Sequence, residues 1–249
     1  MIIMAVLRIE KYRQKNGNDV LKVILKPTQR FPEGYFYCDA SDEKLVRQYT
    51  WHLDRQKQPY VVAVFRSHDS IQAWRFHREK ALNILSRYPD YINHINGIEF
   101  DNVDKNLDEV SQQQNRWCAP SKGYSIDKRS FQPKIKVNSQ NIYASCVGTE
   151  VEALQSVYQL ELKYEDYRYD YLKDRRNDLD LLDMERTGKI SEDEAIYHHV
   201  LRYAENAWYL YRYNLFEYFK DNNIPIPVYA TDSNGFMVHS ITGQKLCPL

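Results

Sequence analysis

The chain has 249 residues, of which 43% are hydrophobic and 27% are charged, and its formal net charge is zero. This composition is typical of a water-soluble globular protein with one good core or two to three small ones. It argues against a membrane protein, since no apolar run approaches the roughly 18 residues that span a bilayer, and the opening apolar patch is too short for a secretory signal. The four cysteines form no CxxC pair, which argues against a zinc knuckle and favours free thiols in a reducing compartment.

Charge is unevenly distributed along this neutral chain. Residues 116–149 hold six basic residues against one acidic residue, whereas residues 150–194 hold fourteen acidic against seven basic residues. A basic block beside an acidic one indicates one surface that faces a polyanion such as DNA. The acidic block is most simply a solvated face. A DNA mimic or a partner-binding surface is the alternative for this block.

Mixed strands and helices are predicted in the N-terminal part of the chain. The β-branched runs 20–26 and 59–66 predict strands, as does the short run 35–38, and Ser41 is placed to cap a short helix. The polar run 104–117 contains neither glycine nor proline and predicts a helix.

Three short strands are predicted next, in the runs 122–129, 131–137 and 141–146. A helix then begins at Thr149, whose hydroxyl can cap it while Glu152 reaches back to complete a capping box.

A second capping box, formed by Ser191 and Glu194, predicts a helix over roughly 191–220. The end of the chain predicts a small hairpin with its turn at residues 233–235.

The stretch 92–116 carries the residue types that phosphodiester hydrolysis needs. Hydrolysis with one metal ion requires a base that activates water and a cation that neutralises the leaving oxygen. Asn93 and His94 are adjacent at the end of a predicted strand, Gly97 belongs to a turn dipeptide, and Asn115 lies in the predicted helix. A hairpin followed by a helix can present a strand histidine and a helix ligand to the same phosphate.

This pattern resembles the HNH, or ββα-metal, nuclease family, in its phage and intron homing-endonuclease branch. That branch has D/N-H-x-x-G, then D-N-x-x-x-N-L, then a helix that ends in Q-N. The matching residues are Asn93, His94, Gly97, Asp101, Asn102, Asn106, Leu107 and Asn115. The FHRE segment around His77 and Arg78 resembles the strand and helix that precede the family's active site.

The resemblance implies a role for four of these residues. His94 is implied as the general base, and Asn93 and Asn115 as ligands of one Mg²⁺ or Mn²⁺ ion. Asn106 is implied as the central asparagine, which ties the loop to the helix by hydrogen bonds from its side chain to the backbone. Many members of the family have aspartate where this chain has Asn93, and an amide is a weaker ligand for a hard dication than a carboxylate. We therefore expect a lowered metal affinity.

Residues 121–164 resemble a second family, the plant ethylene-response-factor (Apetala) DNA-binding domain, whose sheet enters the major groove while its helix packs behind. The resemblance implies seven DNA contacts, at Lys122, Ser125, Lys128, Arg129, Gln132, Lys134 and Lys136. Phosphate contacts would dominate the affinity and base contacts the selectivity. Phe131 stands where the family usually has tryptophan, and Pro133 interrupts a strand. The alternative is a small basic sheet without a partner.

Together these patterns predict an α+β fold class with a ββα-metal nuclease core, a three-stranded-sheet plus helix DNA-binding module and a C-terminal helical extension. The predicted domains are N-terminal strands with the nuclease core over 1–119, the DNA-binding module over 120–165, the helical extension over 166–222 and a C-terminal hairpin over 223–249.

The predicted function is a DNA endonuclease of the homing type. It would hydrolyse phosphodiester bonds of double-stranded DNA with one divalent metal ion and a histidine base. The resemblance implies a phage or mobile-element protein that acts in the cytoplasm of a bacterial host cell, and the C-terminal helices can support a homodimer. The alternatives are a restriction-type endonuclease, and a weakly active or inactive derivative that serves as a sequence-specific DNA-binding repressor or interference protein.

Overall fold

The structure is a computed structural model that describes residues 6–54, 59–66, 71–118, 123–127, 130–164, 173–203, 220–223, 229–231, 237–239 and 245–246. In these ranges the fold is α+β, with several small sheets and six α-helices, which confirms the predicted fold class. No helix within the same ranges has both the length and the apolar character needed to cross a bilayer.

The secondary structure of the described residues consists mostly of short elements. The strands are β1 (Val6–Arg13), β2 (Asp19–Leu25), β3 (Tyr35–Asp39), β4 (Trp51–Leu53), β5 (Val61–Arg66), β6 (Ile71–Arg75), β7 (Tyr91–His94), β8 (Asp101–Asn102), β9 (Leu107–Val110), β10 (Tyr124–Asp127), β11 (Ser130–Val137), β12 (Gln140–Tyr143), β13 (Tyr229–Thr231), β14 (Met237–His239) and β15 (Lys245–Leu246). The α-helices are α1 (Glu43–Gln48), α2 (Phe76–Leu85), α3 (Gln112–Trp117), α4 (Glu150–Tyr164), α5 (Leu179–Arg186) and α6 (Glu192–Tyr203).

The chain divides into two compact units. The first unit comprises Met1–Asn115 and Leu172–Tyr197, and the second comprises Arg116–Tyr171 and His198–Leu249. Residues 172–197, predicted above as part of a C-terminal helical extension, thus belong to the first unit. The first unit is therefore discontinuous in sequence, because the chain leaves it after residue 115 and returns at residue 172.

A four-stranded sheet in the order β1-β2-β3-β8 lies at the centre of the first unit. Its strands pair antiparallel except β3 and β8, which are parallel and place Asp101 beside Tyr37. Alternate residues of β2 point into a core that includes Val23, and Phe36 and Phe76 from β3 and α2 pack there with ring centroids 5.0 Å apart. Strand β8 consists of Asp101 and Asn102, two residues matched to the nuclease pattern, and it places them at the edge of this core.

A second sheet, in the order β4-β5-β6, covers the same core with one of its faces. Trp51 of β4 is opposite Ala63 of β5, and both side chains are buried. The other face of this sheet is therefore free to line a surface.

A buried lysine fixes the start of the loop that follows β8. Lys80 of α2 is 2% exposed, and its ammonium group forms ion pairs with Asp39, Asp42 and Asp104. It also donates a hydrogen bond of 2.8 Å to the carbonyl oxygen of Asn102. Burial disfavours the charge, but the surrounding carboxylates outweigh this cost and hold the pKa of Lys80 above its usual value.

The second unit contains the three predicted strands as an antiparallel sheet in the order β10-β11-β12, with α4 packed against it. Tyr124, Ala153 and Leu154 form the small core between sheet and helix. The predicted capping box is confirmed. The Thr149 hydroxyl accepts a hydrogen bond of 3.2 Å from the backbone N–H of Glu152, whose carboxylate accepts one of 3.0 Å from the Thr149 N–H.

Helix α4 approaches the beginning of β10 so closely that only glycine fits there. A Cβ atom on Gly123 would lie 2.5 Å from Cγ1 of Val157, and the φ of Gly123 is +70°. We expect Gly123→Ala to lower the free energy of unfolding of the second unit by about 2 to 4 kcal/mol, since it adds overpacking to backbone strain. Urea unfolding measures this loss.

Gly148→Ala provides the matched control for this change. Its Cβ atom would meet no atom closer than the Glu152 carboxylate at 3.9 Å. Equal unfolding midpoints for Gly123→Ala and Gly148→Ala would contradict the close packing of α4 on the sheet.

Two further helix predictions differ in outcome. The prediction of one helix over 104–117 is wrong, because residues 107–110 form β9 and only residues 112–117 are α-helical. The box of Ser191 and Glu194 is confirmed at the start of α6, while residues 204–219 lie outside the described part of the chain.

The predicted C-terminal hairpin is confirmed as the antiparallel pair β13 and β14, and its turn residues lie outside the described residues. Cys38 and Cys146 are free thiols.

Candidate active site

The matched residues of the nuclease pattern lie on an antiparallel strand pair that is followed directly by a helix. Strand β7 pairs with β9, so that Asn93 is opposite Asp108 and His94 is opposite Leu107. Helix α3 begins after one intervening residue, Ser111.

The loop between β7 and β9 is held in shape by Asn106, which is 4% exposed. Its side-chain oxygen accepts a hydrogen bond of 2.9 Å from the backbone N–H of Asn96, and its side-chain nitrogen donates one of 2.7 Å to the carbonyl oxygen of Asp101. Both partners lie within the loop and β8, whereas the family resemblance implied a tie to the helix. Gly97 turns the chain here with a φ of +67°, and its N–H donates to the carbonyl oxygen of His94.

A buried ion pair anchors the same loop to α5. Asp101 is completely buried, and its carboxylate accepts hydrogen bonds of 2.9 and 2.7 Å from the guanidinium of Arg186, which is 1% exposed. The side-chain nitrogen of Asn96 donates a third hydrogen bond, of 2.6 Å, to the same carboxylate. Burial opposes the charge of Arg186, but Asp101 outweighs this effect and keeps the pKa of the guanidinium above its usual value.

This ion pair corrects the interpretation of residues 150–194 as a solvated face. Arg175, Glu185 and Arg186 all come from that block, and all three are 2% exposed or less. Glu185 pairs with both arginines, at 2.7 Å from Arg175 and 2.5 Å from Arg186. Part of the acidic block is therefore buried inside the first unit, where its acidic and basic side chains form ion pairs with one another.

His94 is a buried, neutral imidazole at physiological pH. Its side chain retains 6% exposure, and burial lowers its pKa to about 4. Its Nε2 lies 3.2 Å from Oδ1 of Asn102. With Oδ1 of Asn102 facing Nε2, the proton of this hydrogen bond is on Nε2 and the lone pair is on Nδ1; the opposite orientation of the Asn102 amide would reverse the two nitrogens. The chain thus holds His94 in a form that can accept a proton.

A second histidine and a tyrosine surround His94. The His77 ring is perpendicular to the His94 ring with centroids 4.9 Å apart, and the Tyr60 centroid lies 6.2 Å from that of His94. His77 is 3% exposed, its Nδ1 has no hydrogen-bond partner in the structure, and burial holds its pKa well below the usual value. The side-chain nitrogen of Asn102 is a second buried polar atom without a partner at this site.

The predicted metal ligands lie next to His94 on β7 and on the following helix, α3. Asn93 is 8% exposed, and Asn115 is half-buried in α3, where its N–H donates to the carbonyl oxygen of Ser111. Asp108, opposite Asn93 in the register, adds a half-buried carboxylate on the same face. Among the described residues there is no group of three or more His, Cys, Asp or Glu side chains that could hold a metal ion. A site here would therefore combine amides with one carboxylate.

The second unit brings four of the predicted DNA contacts onto one face of its sheet. Ser125 is opposite Gln132, and Gln132, Lys134 and Lys136 alternate along β11, so all four point away from α4. Lys136 is exposed, and Ser125, Gln132 and Lys134 are half-buried. The other three predicted contacts lie outside the described residues, and they are Lys122, Lys128 and Arg129.

Two of these positions also have structural contacts. The side chain of Gln132 donates to the carbonyl oxygen of Ala144 and contacts the thiol of Cys146. The backbone oxygen of Lys136 accepts a hydrogen bond of 3.2 Å from the Trp117 indole. Lys134 is opposite the exposed Tyr143, which sequence reasoning did not select.

Sequence reasoning also gave no role to Asn102, His77 and Asp108 in this site, although the first two fell within the matched segments. Asp108 could have been found from the sequence if the LDEV run had been interpreted as a strand paired with β7. In that pairing Asp108 is opposite Asn93 and shares its face. The ring contact between His77 and His94 had no signal in sequence spacing, since it depends on how α2 packs against β7.

Comparison of the chain with protein-family models, with curated proteins and with solved structures gives no match.

Proposed function

We propose that this protein is a metal-dependent DNA endonuclease with a ββα-metal core of the HNH homing type. The observation that carries the proposal is His94, a buried neutral imidazole in contact with Asn102, at the end of the first strand of a strand–strand–helix unit. A strongly shifted pKa is typical of functional residues, and the unprotonated imidazole is the form that a general base needs.

The chain's own residues supply the proton transfer. Nδ1 of His94 accepts the proton of the attacking water, and the amide oxygen of Asn102 then stabilises the imidazolium that forms, through the hydrogen bond from Nε2. Asn106 and Asp101 keep the intervening loop, and with it Asn102, in position. The base is thus preorganised before the substrate binds.

Asn93 of β7, Asp108 paired with it on β9 and Asn115 of α3 are the side chains that would hold a divalent ion. Asn93, Asn115 and Asp108 offer hard oxygen donors, which suit Mg²⁺ or Mn²⁺ better than a soft metal. When bound, such an ion neutralises the charge that develops on the leaving oxygen. Asp108 supplies the negative charge that Asn93 lacks.

The open face of the second unit is the proposed contact with double-stranded DNA. Ser125, Gln132, Lys134 and Lys136 share this face, as the resemblance to the ethylene-response-factor domain implies, and their neighbour Tyr143 is 56% exposed. Lysines that alternate with polar and aromatic groups on a sheet can contact phosphates and base edges together.

Metal dependence tests the proposal. We expect the wild-type protein to nick or linearise supercoiled plasmid in Mg²⁺ or Mn²⁺ and to lose this activity in a chelator. Asp108→Asn is expected to raise the half-saturating metal concentration on the order of tenfold to a hundredfold. Paramagnetic resonance of Mn²⁺ measures the same affinity without catalysis.

Glu109→Gln is the matched control for Asp108→Asn, since Glu109 lies on the opposite face of β9 and pairs with Arg87 at 2.7 Å. It should leave metal affinity unchanged. Absence of cleavage on DNA that the wild-type protein binds in a salt-sensitive manner would overturn the endonuclease and support the DNA-binding repressor.

A further inference from the structure

A large cleft opens on the side of the β4-β5-β6 sheet that faces away from the core. It has a volume of about 1400 Å³. Small-molecule pockets usually measure roughly 300 to 1,000 Å³. The size of this cleft suits a segment of a polymer better than a metabolite.

The floor of the cleft follows from the strand register. His52, Val62 and Arg75 are directly opposite one another across the three strands, and Val64 pairs with Ala73 one step further along the same face. All five line the cleft. The floor is therefore a flat surface of small side chains with a guanidinium at one end.

The walls of the cleft add two more guanidinium groups. Arg30 is exposed on the segment between β2 and β3, and Arg78 projects from the first turn of α2, where its guanidinium donates a 3.0 Å hydrogen bond to the carbonyl oxygen of Pro89. The cleft also contains Asp54 and Glu79, but Glu79 is 7% exposed and accepts a hydrogen bond from the Tyr88 hydroxyl. Its exposed charge is thus mainly positive.

Arg75 connects the cleft to the candidate active site. Its guanidinium lies over the Tyr60 ring, 4.3 Å from the centroid, and Tyr60 in turn lies beside His94. The positive charge of Arg75 contributes to the lowered pKa of His94. The Arg75 end of the cleft floor is therefore the end that Tyr60 links to His94.

We infer that the cleft binds the sugar–phosphate backbone of one DNA strand and leads it to His94, with Arg30, Arg75 and Arg78 on phosphates and the exposed Val64 and Ala73 against the sugars. The inference rests on the proposed function for its choice of DNA. Arginine suits this role because its planar fork of donors matches phosphate oxygens. This surface belongs to the first unit and adds to the lysine face of the second.

Binding measured in a chelator tests the cleft without any cleavage. The probe is a fluorescently labelled DNA duplex, titrated with the full chain by anisotropy at several salt concentrations. Each phosphate contact contributes about 0.9 to the slope of log K against log salt. Arg30→Ala/Arg75→Ala is therefore expected to make the slope shallower by about two and to weaken binding about tenfold or more at low salt.

Two further variants sharpen the test. Lys44→Ala/Arg47→Ala removes the same charge from α1, where Lys44 and Arg47 are exposed and do not line the cleft, and it should leave the slope unchanged. Ala73→Glu places a carboxylate on the exposed cleft floor and should weaken binding with little effect on folding. Lys134→Ala/Lys136→Ala should reduce the slope independently, so that its effect adds to that of the arginine pair.

The inference is overturned if the arginine pair changes the slope no more than the α1 pair does and Ala73→Glu binds like the wild type. If plasmid cleavage is found in that case, the proposed function stands without this cleft. Conversely, if the arginine pair makes the slope shallower but the wild-type protein never cuts DNA, the cleft is supported as a DNA-binding site and the endonuclease proposal is wrong.

Discussion

Replacement of His94 by alanine is expected to lower the single-turnover rate of DNA cleavage by a factor on the order of 10² to 10⁴, which is typical of losing a general base. The histidine is buried, neutral at pH 7 and in contact with Asn102 through Nε2. The affinity of this variant for DNA in a chelator should stay close to that of the wild type, because the substitution removes only the proton-transfer step. Added imidazole should restore part of the rate by occupying the vacated space.

His198→Ala is the matched control for this change, since His198 is an exposed histidine on α6 in the second unit. It should cleave at the wild-type rate. Equal rates for His94→Ala and the wild type, with both proteins folded by circular dichroism, would contradict the role of His94.

The pH profile gives a second measure of the same residue. The acid limb of kcat/KM reports the pKa of the free protein's base, and we expect its midpoint at about 4 instead of near 6.5. The folded protein favours the neutral imidazole of His94. As the pH falls below 6.5, the unfolded chain therefore takes up a proton on this histidine before the folded protein does. By pH 4 this uptake at His94 alone lowers the free energy of unfolding by about 3 kcal/mol, since one pKa unit corresponds to about 1.4 kcal/mol. An acid limb near 6.5 would indicate a different, solvated base.

Replacement of Asp101 by alanine is expected to lower the free energy of unfolding of the first unit by about 3 to 5 kcal/mol. The change leaves the Arg186 guanidinium buried without its partner, and it removes the acceptor of the Asn96 side chain. Urea unfolding, followed through the transition of the first unit, measures the loss. Glu109→Ala, which breaks only the surface pair with Arg87, should cost less than about 1 kcal/mol.

The double variant Asp101→Ala/Arg186→Met tests whether the loss of stability comes from the unpaired Arg186 charge. It should be more stable than the sum of the two single variants predicts, because the stranded charge is gone. Additive losses would contradict a direct coupling between the two side chains.

Much of the secondary structure was predictable because it is encoded locally. The β-branched runs at 20–26 and 59–66 became β2 and β5, and both capping boxes begin the helices that they predicted. The run 104–117 failed because its LDEV segment is a strand only through pairing with Tyr91–His94. Helix propensity along the run contains no information about that partner.

The candidate site was predictable only as far as the nuclease pattern extends. The pattern selects His94 and Asn106, but the groups that define their chemistry come from elsewhere in the chain. Arg186 is 85 residues from Asp101, and its segment looked like a solvated acidic face. Burial reverses that interpretation, because opposite charges from distant segments neutralise one another inside the first unit.

The insertion of residues 116–171 into the sequence of the first unit delays the completion of that unit on the ribosome until the sheet and α4 of the second unit have been made. The loop that holds Asn102 lacks its anchor until the chain has grown 85 residues past Asp101, to Arg186. By then the three-stranded sheet and α4 have already been synthesised, and local contacts allow them to fold first. The basic sheet is thus made before the loop beside His94 can close.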